Sequence, residues 1–110
     1  MIIPKLFRWL FFNKNQTNNV FDALRKTDSL LVDVSLDLGT PIESVDNSLK
    51  LDDSNFKEFV DKTSKERVII IFGNQKARRM KFYSRLEAEG FEHLYDLGTL
   101  DDLKEIRNNL

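Results

Sequence analysis

Cysteine is absent from all 110 residues of the chain. That absence excludes disulfides, thiolate metal sites and every reaction that needs a sulfur nucleophile. It says little about compartment, since cytosolic and exported proteins can both lack cysteine; a cytoplasmic location is the expectation. Histidine occurs once, as His93, with no second metal-type ligand at useful spacing. A structural role is therefore expected for the ring, and neither a metal site nor a cofactor is expected. Neither sign of charge is in surplus. The formal net charge of −1 argues against a nucleic-acid binder acting through overall charge. Glycine is scarce, and three of its four positions mark breaks: Gly39 in Leu38-Gly-Thr-Pro41, Gly73 after an apolar run, and Gly90 before Phe91.

What remains is an ordinary soluble composition, 41% hydrophobic and 32% charged, long enough for one domain with a real but modest core. The chain divides into residues 1–18, an apolar arm with an Asn-rich linker, and a folded domain over 19–110. Residues 1–12, Met-Ile-Ile-Pro-Lys-Leu-Phe-Arg-Trp-Leu-Phe-Phe, are strongly apolar around Lys5 and Arg8. They are too few to span a bilayer as a helix and lack the small-residue cleavage site of a signal peptide. Packing on the same domain, docking on a second copy to form a homodimer, and lying in a membrane interface are the three options, with packing on protein favoured.

Along the rest of the chain, short apolar runs alternate with helical spacing. Val20, Phe21 and Leu24 predict a helix. Ser29–Val34 predicts the first core strand and Ser48–Leu51 a short second one. Ser54 is placed to cap a helix in which Phe56, Phe59 and Val60 share a face. Arg67–Phe72 predicts a central strand with both faces covered. A helix over Ala77–Glu89 follows, with Met80, Phe82, Tyr83 and Leu86 as its apolar surface and Gly90 at its C′ position. Glu92-His-Leu-Tyr95 predicts the last strand. Thr99 opens a helix with Asp101 and Asp102 in its first turn and Leu100, Leu103, Ile106 and Leu110 at helical spacing. The connections are too long for hairpins. The expected fold is α/β, a small, mostly parallel sheet with helices on both faces.

In such sheets ligands bind at the carboxyl ends of strands, which singles out Gly73-Asn74-Gln75-Lys76-Ala77-Arg78. A strand, a short turn and a helix N-terminus set backbone N–H groups around one point, and Lys76, Arg78 and Arg79 bring positive charge there. A small anion is the ligand this arrangement suits. The stripe Arg78, Lys81 and Arg85 reads as a solvated face balanced by Glu87 and Glu89. Without an aromatic stacking platform, nucleic acid is an improbable partner.

These segments resemble a single-domain rhodanese. The resemblance rests on Leu30-Leu-Val-Asp-Val34, Val45-Asp-Asn-Ser-Leu-Lys-Leu51, Arg67-Val-Ile-Ile-Ile-Phe72, Gly90-Phe91 and Leu94-Tyr-Asp-Leu97, and covers roughly residues 20–110. It implies a rhodanese-like fold with an active-site loop that begins at a persulfide-carrying cysteine and ends at an arginine. Asp33 and Arg78 match that pattern. Gly73 falls at the cysteine position, Ser35 at the arginine of the family's Asp-Val-Arg, and Ser44–Ser48 replaces its His-Ile-Pro-Gly-Ala segment. The distance from Gly73 to Arg78 is the rhodanese spacing, one residue shorter than the related loop of cysteine phosphatases. The resemblance thus implies a domain that has lost sulfur transfer, since a thiolate is indispensable to it. A binding or regulatory module with an unknown protein partner or a small anion follows from that. Two alternatives stand beside it: an enzyme using another group at the same pocket, with Ser35, Asp33 and Lys76 the nearby candidates but no triad pattern, and a protein held at the membrane surface by residues 1–12.

Overall fold

The computed structural model describes residues 28–36 and 47–108. The expected helix around Val20–Leu24, the arm and linker, the turn at Leu38–Pro41 and the end of the last helix at Leu110 lie outside these residues. Within them, four strands and three helices alternate: β1 (Leu30–Asp33), β2 (Ser48–Lys50), α1 (Phe56–Lys62), β3 (Ile69–Phe72), α2 (Lys76–Ala88), β4 (Leu94–Gly98) and α3 (Leu100–Arg107). The strands form one sheet in the order β2-β1-β3-β4, and every pairing is parallel. The α/β fold with a parallel sheet is the expected one.

Alternation along the strands divides the core in two. Val32, Val34, Ile69 and Ile71 point to one face, where Phe56 and Phe59 of α1 and Phe82 and Leu86 of α2 cover them. Leu31, Ile70 and Phe72 point to the other, under Leu103 and Ile106 of α3. All four residues of β3 are buried. A central parallel strand has no face left for water, which is why its sequence is an unbroken apolar run instead of an alternating one. No described helix is long and apolar enough to cross a membrane.

Several boundaries differ from the sequence reading. The first residue before α1 is Asn55, which makes no side-chain capping bond. Ser54 does not cap; its N–H and that of Asn55 donate to Oδ1 of Asp52. Asn55 is engaged elsewhere, accepting from the Asp52 N–H at 2.8 Å and donating Nδ2 to the Lys50 carbonyl at 2.7 Å. The last strand begins at Leu94, not Glu92, because Leu94 is the residue in register with Ile69 while Glu92 and His93 are exposed. On α2 the buried residues are Arg79, Phe82 and Leu86, and Met80 faces solvent at 37% exposure. Phe82 and Leu86 are buried as expected and Tyr83 packs partly against them, but an arginine takes the place expected of Met80. Thr99 and Asp102 form the reciprocal capping box that opens α3.

Gly90 ends α2 as expected. Its φ of +98° lies in the left-handed region. The Gly90 N–H donates to the Glu87 carbonyl and the Phe91 N–H to the Leu86 carbonyl, which is the Schellman pattern. Phe91 is thereby turned back onto Leu86 in the core. A β-carbon at Gly90 would meet nothing within 4 Å, so only the backbone conformation resists substitution. Gly90→Ala is expected to destabilise the domain by about 1 kcal/mol, lowering Tm by roughly 4–8 °C, as checked by thermal unfolding monitored by circular dichroism.

Candidate functional site

In strand order β2-β1-β3-β4 the chain moves from β1 to one edge and returns through β3 to the other. The carboxyl ends of β1 and β3 are therefore the topological switch point, where open parallel sheets bind ligands. Gly73 stands at the end of β3, and the loop to Arg78 leads into the first turn of α2. The loop lies at the carboxyl end of β3, where the sequence places it, and its side chains make contacts the sequence did not suggest.

The loop is fastened to the exit of β1 by three separate ties. Gly73 lies so close to that segment that a β-carbon there would be 3.0 Å from Val34 Cγ2, 3.1 Å from the Ser35 nitrogen and 3.2 Å from the Val34 carbonyl carbon. Few real β-carbons come so near their neighbours, so a side chain at this position would have to push the β1 exit back by a few tenths of an ångström. Asn74 accepts the Leu36 N–H at Oδ1 and donates Nδ2 to the Leu36 carbonyl. Arg78 donates Nε to the Val34 carbonyl at 2.7 Å, and its guanidinium lies 5.1 Å from the Phe82 ring centre. Asn74 and Arg78 are both committed to holding two loops together.

Arg79 corrects the sequence reading most. Its side chain is 10% exposed and turns away from the loop's outer surface. One guanidinium nitrogen donates to the Gly73 carbonyl at 2.9 Å, and Nε donates to Oδ1 of Asp96 on β4 at 2.9 Å. Its charge is neutralised inside the fold. The Gly73 N–H is also engaged, donating to the Gly98 carbonyl at 2.9 Å, a contact made possible by the register shift that sets Gly98 opposite Phe72. What the loop presents outward is smaller than expected. The N–H groups of Asn74, Gln75, Lys76, Ala77 and Arg78 meet no acceptor among the described residues, and the exposed Lys76 meets no carboxylate there.

The basic stripe on α2 is balanced, though not by Glu87 and Glu89. Asp53, in the turn before α1, accepts from Arg85 at 2.6 Å and pairs with Lys81 at 3.6 Å. The Arg85 guanidinium also lies 3.9 Å from the Phe56 ring centre. The Arg85 hydrogen bond, then the Lys81 charge, hold the Asp53 carboxyl below the usual carboxylate range. Asp52 is likewise lowered, chiefly by the Ser54 hydroxyl. Burial raises the Tyr83 hydroxyl, whose neighbours Glu87 and Asp96 push in the same direction.

Of the nearby candidates for chemistry, Asp33 and the backbone of Ser35 are engaged, while Lys76 is exposed. Oδ1 of Asp33 accepts the Ser35 N–H at 2.8 Å, and both residues are buried. Lys50 donates Nζ to the Ser35 carbonyl. His93 stands at the opposite end of the sheet, its carbonyl receiving the N–H of Ile69, the first residue of β3. The fold therefore brings no imidazole to Ser35 or the loop. A groove of about 340 Å³ lies elsewhere, between the β2 edge and α1, with Leu30, Leu49, Phe59 and Thr63 in its walls.

A parallel sheet, a loop at the switch point after a buried strand, and a helix N-terminus behind it define a class of small α/β domains. Comparison with solved structures narrows that class to the rhodanese-like fold. The chain is similar to the Alr3790 protein from Anabaena sp., with a TM-score of 0.64 at 20% identity, over 81% of this chain and 83% of that one. It is also similar to the rhodanese-like domain of that protein, with a TM-score of 0.53 at 15% identity, over 72% of this chain and 81% of that one. No protein-family model and no curated protein matches the sequence.

Two predictions follow from this geometry. Asp96→Asn removes the countercharge of a largely buried guanidinium and is expected to cost roughly 3 kcal/mol, the low end for breaking a buried pair because Asp96 is partly open to water. The Arg79→Met, Asp96→Leu double variant is expected to recover part of that loss in urea unfolding. For Asp53 the folded-state pKa is lowered, so its stabilisation is present above the unfolded-state value and disappears as pH falls through the folded value. The Tm gap between the parent and Asp53→Asn is expected to be constant near neutrality and to close below about pH 4.

Proposed function

We propose that this chain is a rhodanese-like domain that has left sulfur transfer and acts as a binding or regulatory module, with the loop Gly73–Arg78 as its site for a small anion. Gly73 carries this reading. Glycine occupies the first loop position, no cysteine exists elsewhere in the sequence to take over, and Val34 and Ser35 lie within 3.0–3.2 Å of where a β-carbon would stand. Sulfur transfer by the rhodanese route needs a thiolate to carry the persulfide. A cradle of backbone N–H groups needs no side chain at that position.

The anion reading is supported by what the loop leaves outward. Five successive N–H groups lack an acceptor among the described residues, Lys76 adds one exposed charge, and the partial positive end of the thirteen-residue α2 lies behind them. Arg79 adds to this by drawing the Gly73 carbonyl inward, which removes an oxygen dipole from the loop mouth. Compact tetrahedral anions such as sulfate, thiosulfate, phosphate and the phosphate groups of metabolites have matching chemistry. A protein partner would then sense loop occupancy through Leu36 and Val34, to which the loop is tied.

The test is thermal unfolding with each anion at constant ionic strength, in the parent and in Lys76→Ala. Lys76 is the proper position because Arg78 and Arg79 also hold the fold together, and their loss would confound binding with stability. An anion at ~100 times its Kd adds about 2.7 kcal/mol to native stability. Sulfate and phosphate also stabilise proteins nonspecifically, so only the part of the shift lost in Lys76→Ala counts as binding. Equal shifts in both proteins overturn the anion site. Purified protein is expected to show no thiosulfate:cyanide sulfur transfer, and turnover there would overturn the loss of activity.

A further inference from the structure

The groove between the β2 edge and α1 is not used by the loop or by anything in the proposed function. Its walls include Leu30 at the start of β1, Phe59 on α1 and Leu49 on β2, with Asn55, Glu58, Lys62 and Thr63 beside them. Leu49 is 38% exposed, one of two large apolar side chains left so open among the described residues. The exposed Glu58 and Lys62 pair with each other on its rim, so the rim offers no unpaired charge to recruit a charged ligand. Its chemistry asks for large apolar side chains.

We propose that residues 1–12 of this same chain occupy the groove, inserting aromatic and aliphatic side chains against Leu30, Leu49 and Phe59. Three observations favour this occupant over a second copy or another protein. The apolar side chains Ile2, Ile3, Leu6, Phe7, Trp9, Leu10, Phe11 and Phe12 are concentrated in one short segment, and no other twelve-residue stretch of the sequence is as apolar. The chain joins the sheet at the groove itself, because Leu30 is both the first residue of β1 and part of the wall. Seventeen residues separate Phe12 from Leu30. Extended, they reach up to about 55 Å, ample for any approach to the groove. A tether of that length gives an effective concentration on the order of millimolar. Intramolecular docking therefore prevails over a second copy at micromolar protein. The polar stretch Asn13–Asn19 supplies a spacer that does not compete for the apolar walls.

Trp9 is the only tryptophan in the chain and reports on its own segment without background. In the full-length protein its emission is expected to be blue-shifted and shielded from acrylamide, and unchanged over a hundredfold dilution. Leu49→Asp, at an exposed position, is expected to shift the emission to that of the urea-unfolded chain while far-UV circular dichroism stays native. Thr63→Arg, on the groove wall, gives the same readout if Leu49→Asp fails to fold. Solvent-like Trp9 emission in the folded parent overturns the proposal. So does a blue shift that survives both substitutions in folded protein, which would put the segment elsewhere. A blue shift lost on dilution together with a halving of mass would mean exchange between two copies. One that appears only with anionic phosphatidylserine vesicles would mean a membrane surface. Either would also overturn it.

Discussion

Burial of β3 on both faces is the constraint from which the rest of this structure follows. Ile69, Ile70, Ile71 and Phe72 leave the strand without a solvent side, so helices must cover the sheet above and below. Helices on both faces require crossover connections, and crossovers make the neighbouring strands parallel. Parallel strands put their carboxyl ends at one edge, and that is where the loop from Gly73 to Arg78 lies. Four apolar side chains thus determine where a ligand could bind, although none of them could touch it.

At that end of the sheet, several side chains of the loop are engaged in packing. The Gly73 backbone fills the space beside Val34 and Ser35, Asn74 and Arg78 fasten the two loops together, and Arg79 satisfies the Gly73 carbonyl from within. The remaining features of the loop are backbone N–H groups without an acceptor among the described residues and one exposed lysine. The interior ion pair of Arg79 and Asp96 couples α2 to β4 and the loop at once, so loop geometry depends on a strand that is distant in the sequence.

Much of this was legible in the sequence. The unbroken run at 67–72, the helix closed by Gly90 and the Thr99–Asp102 start all carry strong local signals, because each depends on side chains only a few residues apart. The location of the candidate loop was legible for the same reason. What the sequence hid were contacts over long separations. Nothing local distinguishes Arg79, which turns inward to Asp96, from Lys76, which stays in water; the helical periodicity of neighbouring apolar residues favoured Met80 for the core instead. Asp53 as the partner of Lys81 and Arg85 was hidden likewise, since Glu87 and Glu89 are nearer in the chain. The missed signal for Arg79 was its spacing: Arg79, Phe82 and Leu86 lie three and four residues apart, so the arginine shares a face with the two most deeply buried residues of its helix.

The all-parallel pairing has a consequence for how the chain reaches this fold. Among the described residues no two neighbouring strands are joined by a hairpin; Leu30 pairs with Ile69, and Ile69 with Leu94, each across an intervening helix. Every rung of the sheet therefore has to close a long stretch of chain before it gains anything in return. The contacts of the helices and their caps are local, whereas every strand pairing is long-range. Such a topology belongs with the slower small domains, in which collapse precedes strand pairing and the edge of a half-built sheet remains open to other chains for longer.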